Sequence, residues 1–188
     1  PSTKCRVIQH GIPLIAYKEP NELKAKLNLG TRPVLSTFGL LSRGKSIETA
    51  LYALAKVVKE NPDVLYLIIG KTHPEVFKTE GESYRMYLEE LISFLDLTKN
   101  VRFVNSFVDK KTLEDYLQAT DIYLFTSIDP NQAVSGTFAY AMACGCPIVS
   151  TAIPQAKDSL GSAGIVIDFN DAAQMAAAIQ TILNAPER

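Results

Sequence analysis

The chain contains no tryptophan, only two histidines and an odd three cysteines, and these shortages exclude several kinds of protein before any motif is read. Cys144-Gly145-Cys146 is spaced too tightly for the usual metal or redox pairs, and Cys5 is left without an evident partner. His10 and His73 lie far apart in the sequence, so no metal site is expected and the thiols read as reduced and buried. Neither sign of charge is in excess: 19 basic residues face 20 acidic ones for a formal net charge of -1. A global attraction to nucleic acid or to an anionic membrane is thereby excluded, and any anion site must be local. No apolar run approaches the ~18 residues of a spanning helix, and the start lacks the charged-then-apolar layout of a signal peptide. The expectation is an intracellular, cytoplasmic chain.

What is present suits one well-cored domain: 188 residues, of which 47% are hydrophobic. The chain starts at Pro1, and the run from Cys5 to Pro13 reads as a strand entering a turn with no earlier partner, as in a fragment of something larger. From Pro33 onward short apolar runs alternate with longer runs of helical period, the pattern of an open parallel sheet with helices on both faces. Strands are predicted near Val34–Gly39, Val64–Gly70, Val101–Val104, Ile122–Phe125, Pro147–Ser150 and Gly164–Ile167. Several are continuous apolar runs, as strands buried on both faces require. Ile47, Ala50, Leu51, Leu54, Val57 and Val58 form one stripe at helical spacing, with Asn61-Pro62 as the stop. Further helices are predicted at Glu82–Leu95, Lys110–Ala119, Gly136–Cys144 and Asp171–Leu183, with Asp109 and either Asn170 or Asp171 as N-caps.

In such sheets ligands bind beyond the carboxyl ends of the strands, so the turns that follow them carry the candidates. The first turn, Gly39-Leu-Leu-Ser-Arg-Gly-Lys-Ser46, joins two cations to two glycines at a helix start, a combination suited to phosphate. It also satisfies the spelling of a P-loop, which would make the ligand ATP or GTP. That reading needs an acidic residue closing a buried strand to hold magnesium; Asp168 is the only fair candidate, and its place before a helix cap favours a structural role. The fourth turn, Ser127 to Thr137, ends in Ser135-Gly136-Thr137 at the start of a small-residue helix, where hydroxyls and amides face a ligand or merely cap the helix. The charged stretch from His73 to Arg85 reads as a solvated face.

Taken together, Phe38-Gly-Leu-Leu-Ser-Arg-Gly-Lys-Ser46, Leu65-Tyr-Leu-Ile-Ile-Gly70, Tyr116-Leu-Gln-Ala-Thr-Asp121 and Ala141-Met-Ala-Cys-Gly-Cys-Pro-Ile-Val-Ser150 resemble the C-terminal, donor-binding domain of GT-B glycosyltransferases of family 4. The resemblance implies a crossing segment over residues 1–32, with His10 structural at its hinge, and a nucleotide-sugar domain over residues 33–188. It implies that Arg43 and Lys45 grip the donor's diphosphate, that Gly39, Gln132, Ser135, Gly136 and Thr137 complete the donor site, and that the donor is a UDP-, GDP- or ADP-sugar. No cofactor or metal is called for. The family often carries paired glutamates in the fourth turn; here the matching positions are Gln132 and Tyr140, neither acidic, which fits a divergent subgroup. Acceptor binding, whether of a sugar, a lipid or another group, and any peripheral membrane contact fall to an absent N-terminal half. The resemblance further implies hexosyl transfer with retention by the full-length protein and little turnover by this domain alone. Alternatives are a P-loop triphosphate site, a non-catalytic nucleotide-sugar module and a nucleotide-sugar epimerase.

Overall fold

A computed structural model describes residues 11–185. Six strands, β1 (Val34–Phe38), β2 (Leu65–Ile69), β3 (Val101–Val104), β4 (Ile122–Phe125), β5 (Ile148–Thr151) and β6 (Gly164–Ile167), form one sheet in the order β3-β2-β1-β4-β5-β6. Every pairing is parallel. The helices are α1 (Pro20–Lys26), α2 (Ile47–Val57), α3 (Pro74–Glu80), α4 (Ser83–Phe94), α5 (Lys110–Gln118), α6 (Gly136–Ala143), α7 (Pro154–Ser159) and α8 (Ala172–Leu183). The expected α/β class and all six expected strands are present.

The alternation of side chains along each strand explains how one sheet carries two cores. Leu35, Tyr66, Ile68, Ile122, Leu124 and Val149 point to one face and pack with residues of α2, α4 and α8. Val34, Leu65, Leu67 and Ile69 turn the other way onto Leu23 and Leu29, while Tyr123, Phe125 and Ile148 meet α5, α6 and α7. Both faces are covered, so β2 and β4 are buried along their whole length and need the uninterrupted apolar runs seen in their sequences. No described helix is long and apolar enough to cross a membrane.

Three short helices have no counterpart in the sequence reading: α1, α3 and α7. Each begins on proline, whose missing N–H is harmless in a first turn. None is long enough for an apolar stripe to repeat. The His73–Arg85 stretch, read as a solvated face, therefore holds all of α3 and the start of α4. Helix α2 closes at Val57, before Asn61-Pro62, and the chain leaves it through a turn in which the Asn61 N–H donates to the Val57 carbonyl at 2.9 Å. Asp109 and Asp171 are the N-caps of α5 and α8. Asn170 instead has φ of 59° and accepts from the Ser46 hydroxyl at 3.1 Å.

Part of the segment expected to cross between domains packs onto this sheet. Leu23 and Leu29 are buried, Lys24 reaches Asp121 at 2.6 Å, and Lys18 and Lys26 both pair with the buried Asp115. Asp121 also accepts the Val34 N–H at 2.6 Å, tying α1 to the start of β1. Pro1 to His10, including Cys5 and the start of the expected hinge, lie outside the described residues.

At their carboxyl ends β1 and β2 run into Gly39 and Gly70, with φ of 138° and 134°. A Cβ on Gly70 would sit 2.1 Å from the Gly39 carbonyl oxygen, so the two backbones touch where any side chain would intrude. Gly70→Ala is expected to destabilise the fold by more than about 2 kcal/mol through overlap and strain. Gly81→Ala, at φ of 61° but with nothing within 4 Å, should cost only about 1 kcal/mol. Denaturant unfolding of both variants measures the difference.

Acid should expose the Asp115 cluster. Burial opposes ionisation of Asp115, but the Lys18 and Lys26 ammonium groups outweigh it and hold the carboxyl below its ordinary value. A lowered carboxylate contributes stability that is complete above its unfolded value of about 3.9 and is lost as pH falls through the folded value. The destabilisation caused by Asp115→Asn should accordingly be largest at neutral pH and shrink below about pH 4. Unfolding free energies of the two proteins across that range provide the check.

Candidate functional site

A cavity of about 730 Å³ opens at the carboxyl ends of β1, β2 and β3, beside the amino end of α6. Strand order places it next to the switch point, where the chain leaves β1 toward β2 on one side and β4 lies on the other. A second cavity of about 800 Å³ lies at the opposite end, around Cys144, Cys146 and the starts of β5 and β6. It is at the wrong end of the strands for the usual ligand crevice of an open parallel sheet. Its thiols are free, and burial pushes Cys144 up to about 11 and Cys146 higher still, away from the reactive thiolate.

The first turn shapes the cavity floor. After Gly39 the chain returns to the sheet edge, where the Leu41 N–H donates to the Lys71 carbonyl at 2.8 Å and the His73 N–H to the Leu41 carbonyl at 2.9 Å. Residues Arg43–Lys45 then make one 3-10 turn. This turn is tied to the loop after β4: the Ile128 N–H donates to the Gly44 carbonyl at 3.2 Å, and the Thr126 hydroxyl to the Lys45 carbonyl.

Lys45 consequently points into the cavity. A Cβ on Gly39 would lie 3.9 Å from its Cε and 4.0 Å from its Nζ, and 3.2 Å from the Thr137 methyl. Its Nζ stands 5.6 Å from the centre of the Phe125 ring. Burial lowers its pKa, and no ion pair to a carboxylate offsets this among the described residues. Arg43 lies elsewhere. Its side chain is 61% exposed, with Nε 3.6 Å from Glu80 and the guanidinium 5.6 Å from the centre of the Tyr84 ring.

Ser46, the serine of the P-loop spelling, is buried, and its hydroxyl is engaged by Thr49 at 2.8 Å and Asn170 at 3.1 Å. A P-loop would present that hydroxyl to magnesium. Asp168 accepts from the Gln174 amide at 2.9 Å and so braces the start of α8, the structural role its position suggested. No group of three or more His, Cys, Asp or Glu side chains among the described residues could hold a metal ion.

In the fourth turn Ser135 caps α6, its Oγ accepting from the Phe138 N–H at 3.4 Å and lying 3.0 Å from the Thr137 hydroxyl. The Ser135 N–H donates to Gln155 at 2.6 Å. Gly136 is exposed, with open space where a side chain would be. Thr137 lines the cavity, and behind it the hydroxyl of Tyr123, a buried phenol pushed up to about 12 by desolvation, donates to the Phe38 carbonyl at 3.3 Å. Gln132 is outside the cavity and accepts the Ser127 hydroxyl at 2.6 Å, whereas Tyr140 forms part of the cavity wall. Of the residues singled out in the sequence, Gly39, Lys45 and Thr137 are brought together, Ser135 and Gly136 stand at the adjoining helix end, and Arg43 and Gln132 are apart.

The sequence reading assigned no site role to Lys71, Phe107 or Lys110 and placed His73 on a solvated face, yet all four line the cavity. They follow β2 and β3, so the same strand-end rule could have found them. His73 Nδ1 accepts the Glu75 N–H at 3.2 Å, which leaves the ring proton on Nε2. Phe107 is 86% exposed and offers a ring face. Among the described residues no carboxylate lines the cavity. Nearby Glu82 is occupied by the Thr72 hydroxyl and by the buried Arg85 at 3.0 Å, and it titrates below its ordinary value, chiefly through the Thr72 bond.

Residues 19–188 match the family described as glycosyl transferases group 1. Spore coat protein SA of Bacillus subtilis strain 168 is 24% identical over 200 residues, covering 99% of this chain and 51% of that protein. The chain thus spans about half the length of this curated relative. Among solved structures, Anabaena HepE in complex with UDP-glucose superposes with a TM-score of 0.75 at 22% identity, covering 88% of this chain and 43% of HepE. Sucrose-phosphate synthase from Thermosynechococcus elongatus superposes with a TM-score of 0.76 at 27% identity, covering 88% of this chain and 40% of that enzyme. With the match running through almost the whole chain and the sheet order, strand-end glycines and cavity all in place, the chain belongs to the glycosyl transferases group 1 family.

Proposed function

We propose that this chain is the donor-binding half of a GT-B glycosyltransferase and holds a nucleoside diphosphate sugar in the cavity beside Gly39, Lys45 and Thr137. The observation that carries this reading is Lys45, a half-buried ammonium facing a cavity, with neither a carboxylate partner nor an acid in the cavity lining among the described residues. An anion there would relieve the desolvation that lowers the lysine's pKa, and the amino end of α6 adds favourable dipole charge from beside it. HepE, one of the structural neighbours, is seen with UDP-glucose.

In this proposal the diphosphate sits over Gly39, where the absence of a side chain admits it to the backbone, and the base extends toward Phe107. Transfer of the sugar breaks the anomeric C–O bond, and the departing diphosphate gains negative charge. Lys45, joined by Arg43 and the amides at Gly136 and Thr137, would stabilise that charge; removal of one such donor typically costs ~3–4 kcal/mol of barrier. Retention at the anomeric carbon, a place in family 4 and a cytoplasmic location are parts of the same proposal. So is an acceptor, whether sugar, lipid or another group, held by the remaining half of the full-length protein. Gln132 and Tyr140, where the family often has glutamates, would give a donor-sugar and ribose environment built of neutral hydrogen-bonding groups.

Calorimetric titration with UDP, GDP, ADP and ATP, with and without magnesium, tests the assignment. A nucleoside diphosphate should bind without magnesium; binding of ATP with magnesium alone would sink the proposal. Lys45→Ala should weaken diphosphate binding at least tenfold, ~1.4 kcal/mol, and an unchanged affinity would remove Lys45 from the site.

The pH dependence has a defined sign. The anion binds the protonated form of Lys45, whose free-state pKa is lowered, so affinity holds below that value and falls as pH rises through it. The fall should begin below the ordinary lysine value of ~10.4. Lys45→Arg, which stays charged, should move the fall to higher pH, as read from dissociation constants across the alkaline range.

A further inference from the structure

Arg43 stands between two residues that line the cavity, Ser42 and Lys45, yet its guanidinium is turned outward. Glu80 holds it there at 3.6 Å, and the Tyr84 ring lies beneath it at 5.6 Å. Tyr84 is fixed by the Ile47 N–H, which donates to its hydroxyl at 3.0 Å, and by its own bond to Glu48. Glu80 is the last residue of α3, a helix with no buried residue whose N-cap His73 and first residue Pro74 line the cavity. The outward position thus consists of a solvent-screened ion pair, with side chains 61% and 44% exposed, and one cation–ring contact. Both are weak beside the paired charge-assisted bonds that a planar guanidinium forms with phosphate. Arg43 itself has a long, exposed side chain.

We propose that Glu80 is a specificity-determining residue of the anion site, competing with the ligand's second phosphate for Arg43. The proposal rests on the reading of Lys45 as the anchor of that site. A monophosphate occupies Lys45 alone and leaves Arg43 on Glu80. A diphosphate draws Arg43 inward, off the Glu80 carboxylate, which keeps only the Ser83 hydroxyl at 3.4 Å. Glu80 therefore lowers the affinity for diphosphates without touching them, and Arg43 supplies the difference between one phosphate and two.

The test is titration of the chain with UDP and UMP, GDP and GMP, and ADP and AMP at low ionic strength, in the wild type, Glu80→Gln, Arg43→Ala and the double variant. Glu80→Gln should tighten diphosphate binding about threefold, the scale of an exposed ion pair, and leave monophosphate binding unchanged. Arg43→Ala should weaken the diphosphate and barely alter the monophosphate, and in its background Glu80→Gln should have no effect. An equal gain for mono- and diphosphates would reduce Glu80 to a general charge effect and overturn the proposal. So would a gain that persists without Arg43, or no gain at all. If no nucleotide binds the wild type, the site reading itself falls and this inference falls with it.

Discussion

Two backbones meet at Gly39 and Gly70 with no room for a side chain between them, and the geometry of the cavity depends on that approach. Parallel strands bring their carboxyl ends to one edge, but they do not by themselves make a crevice there. The positive φ at both glycines turns the chains abruptly out of β1 and β2. Leu41 then bridges to Thr72, and the turn that follows brings Lys45 back over the end of β1. A side chain at Gly39 would press on Thr137 and crowd Lys45, so the glycine keeps open the space in which an anion is proposed to sit.

Burial and charge are balanced differently at two places in the fold. Around α1 the buried charges are matched: Asp115 by two lysines and Lys24 by the half-buried Asp121, which also accepts a backbone N–H. That arrangement holds a short helix whose own propensity is insufficient, since few residues limit both packing and hydrogen bonding. At Lys45 the balance is left open. Its ammonium is partly desolvated with no carboxylate among the described residues to compensate, the kind of imbalance that concentrates at functional sites.

The two cations of the first turn also differ in accessibility, and that difference gives them separate parts in the proposed chemistry. Lys45 is fixed by the stem of the 3-10 turn and by the bonds from the loop after β4, so its charge is preorganised. Arg43 is exposed and held by contacts that water and salt weaken. Preorganised charge stabilises a departing diphosphate without reorganisation, whereas Arg43 is proposed to turn inward only for a second phosphate.

The strands, the long helices and the order of the motifs were legible in the sequence because they rest on periodicity, and a continuous apolar run such as Leu65–Ile69 has few other places to go in an α/β fold whose sheet is covered on both faces. Asp109 and Asp171 were legible as caps for an equally local reason, since a short acceptor beside free amides acts within one turn. The short helices α1, α3 and α7 were not, because none is long enough for an apolar stripe to repeat, and α1 is held by contacts with distant parts of the chain. Lys26, for instance, reaches Asp115 across 89 residues. Residue types alone put Arg43 and Lys45 together, one residue apart in a basic turn. Only the tertiary structure turned Lys45 toward Thr137 and Arg43 toward Glu80, because a side chain's direction is set by the neighbours it meets, and those come from α6 and α3. Lys71, His73 and Lys110 joined the cavity for the same reason: parallel pairing brings the ends of β2 and β3 to the same edge as β1, a proximity that sequence distance conceals.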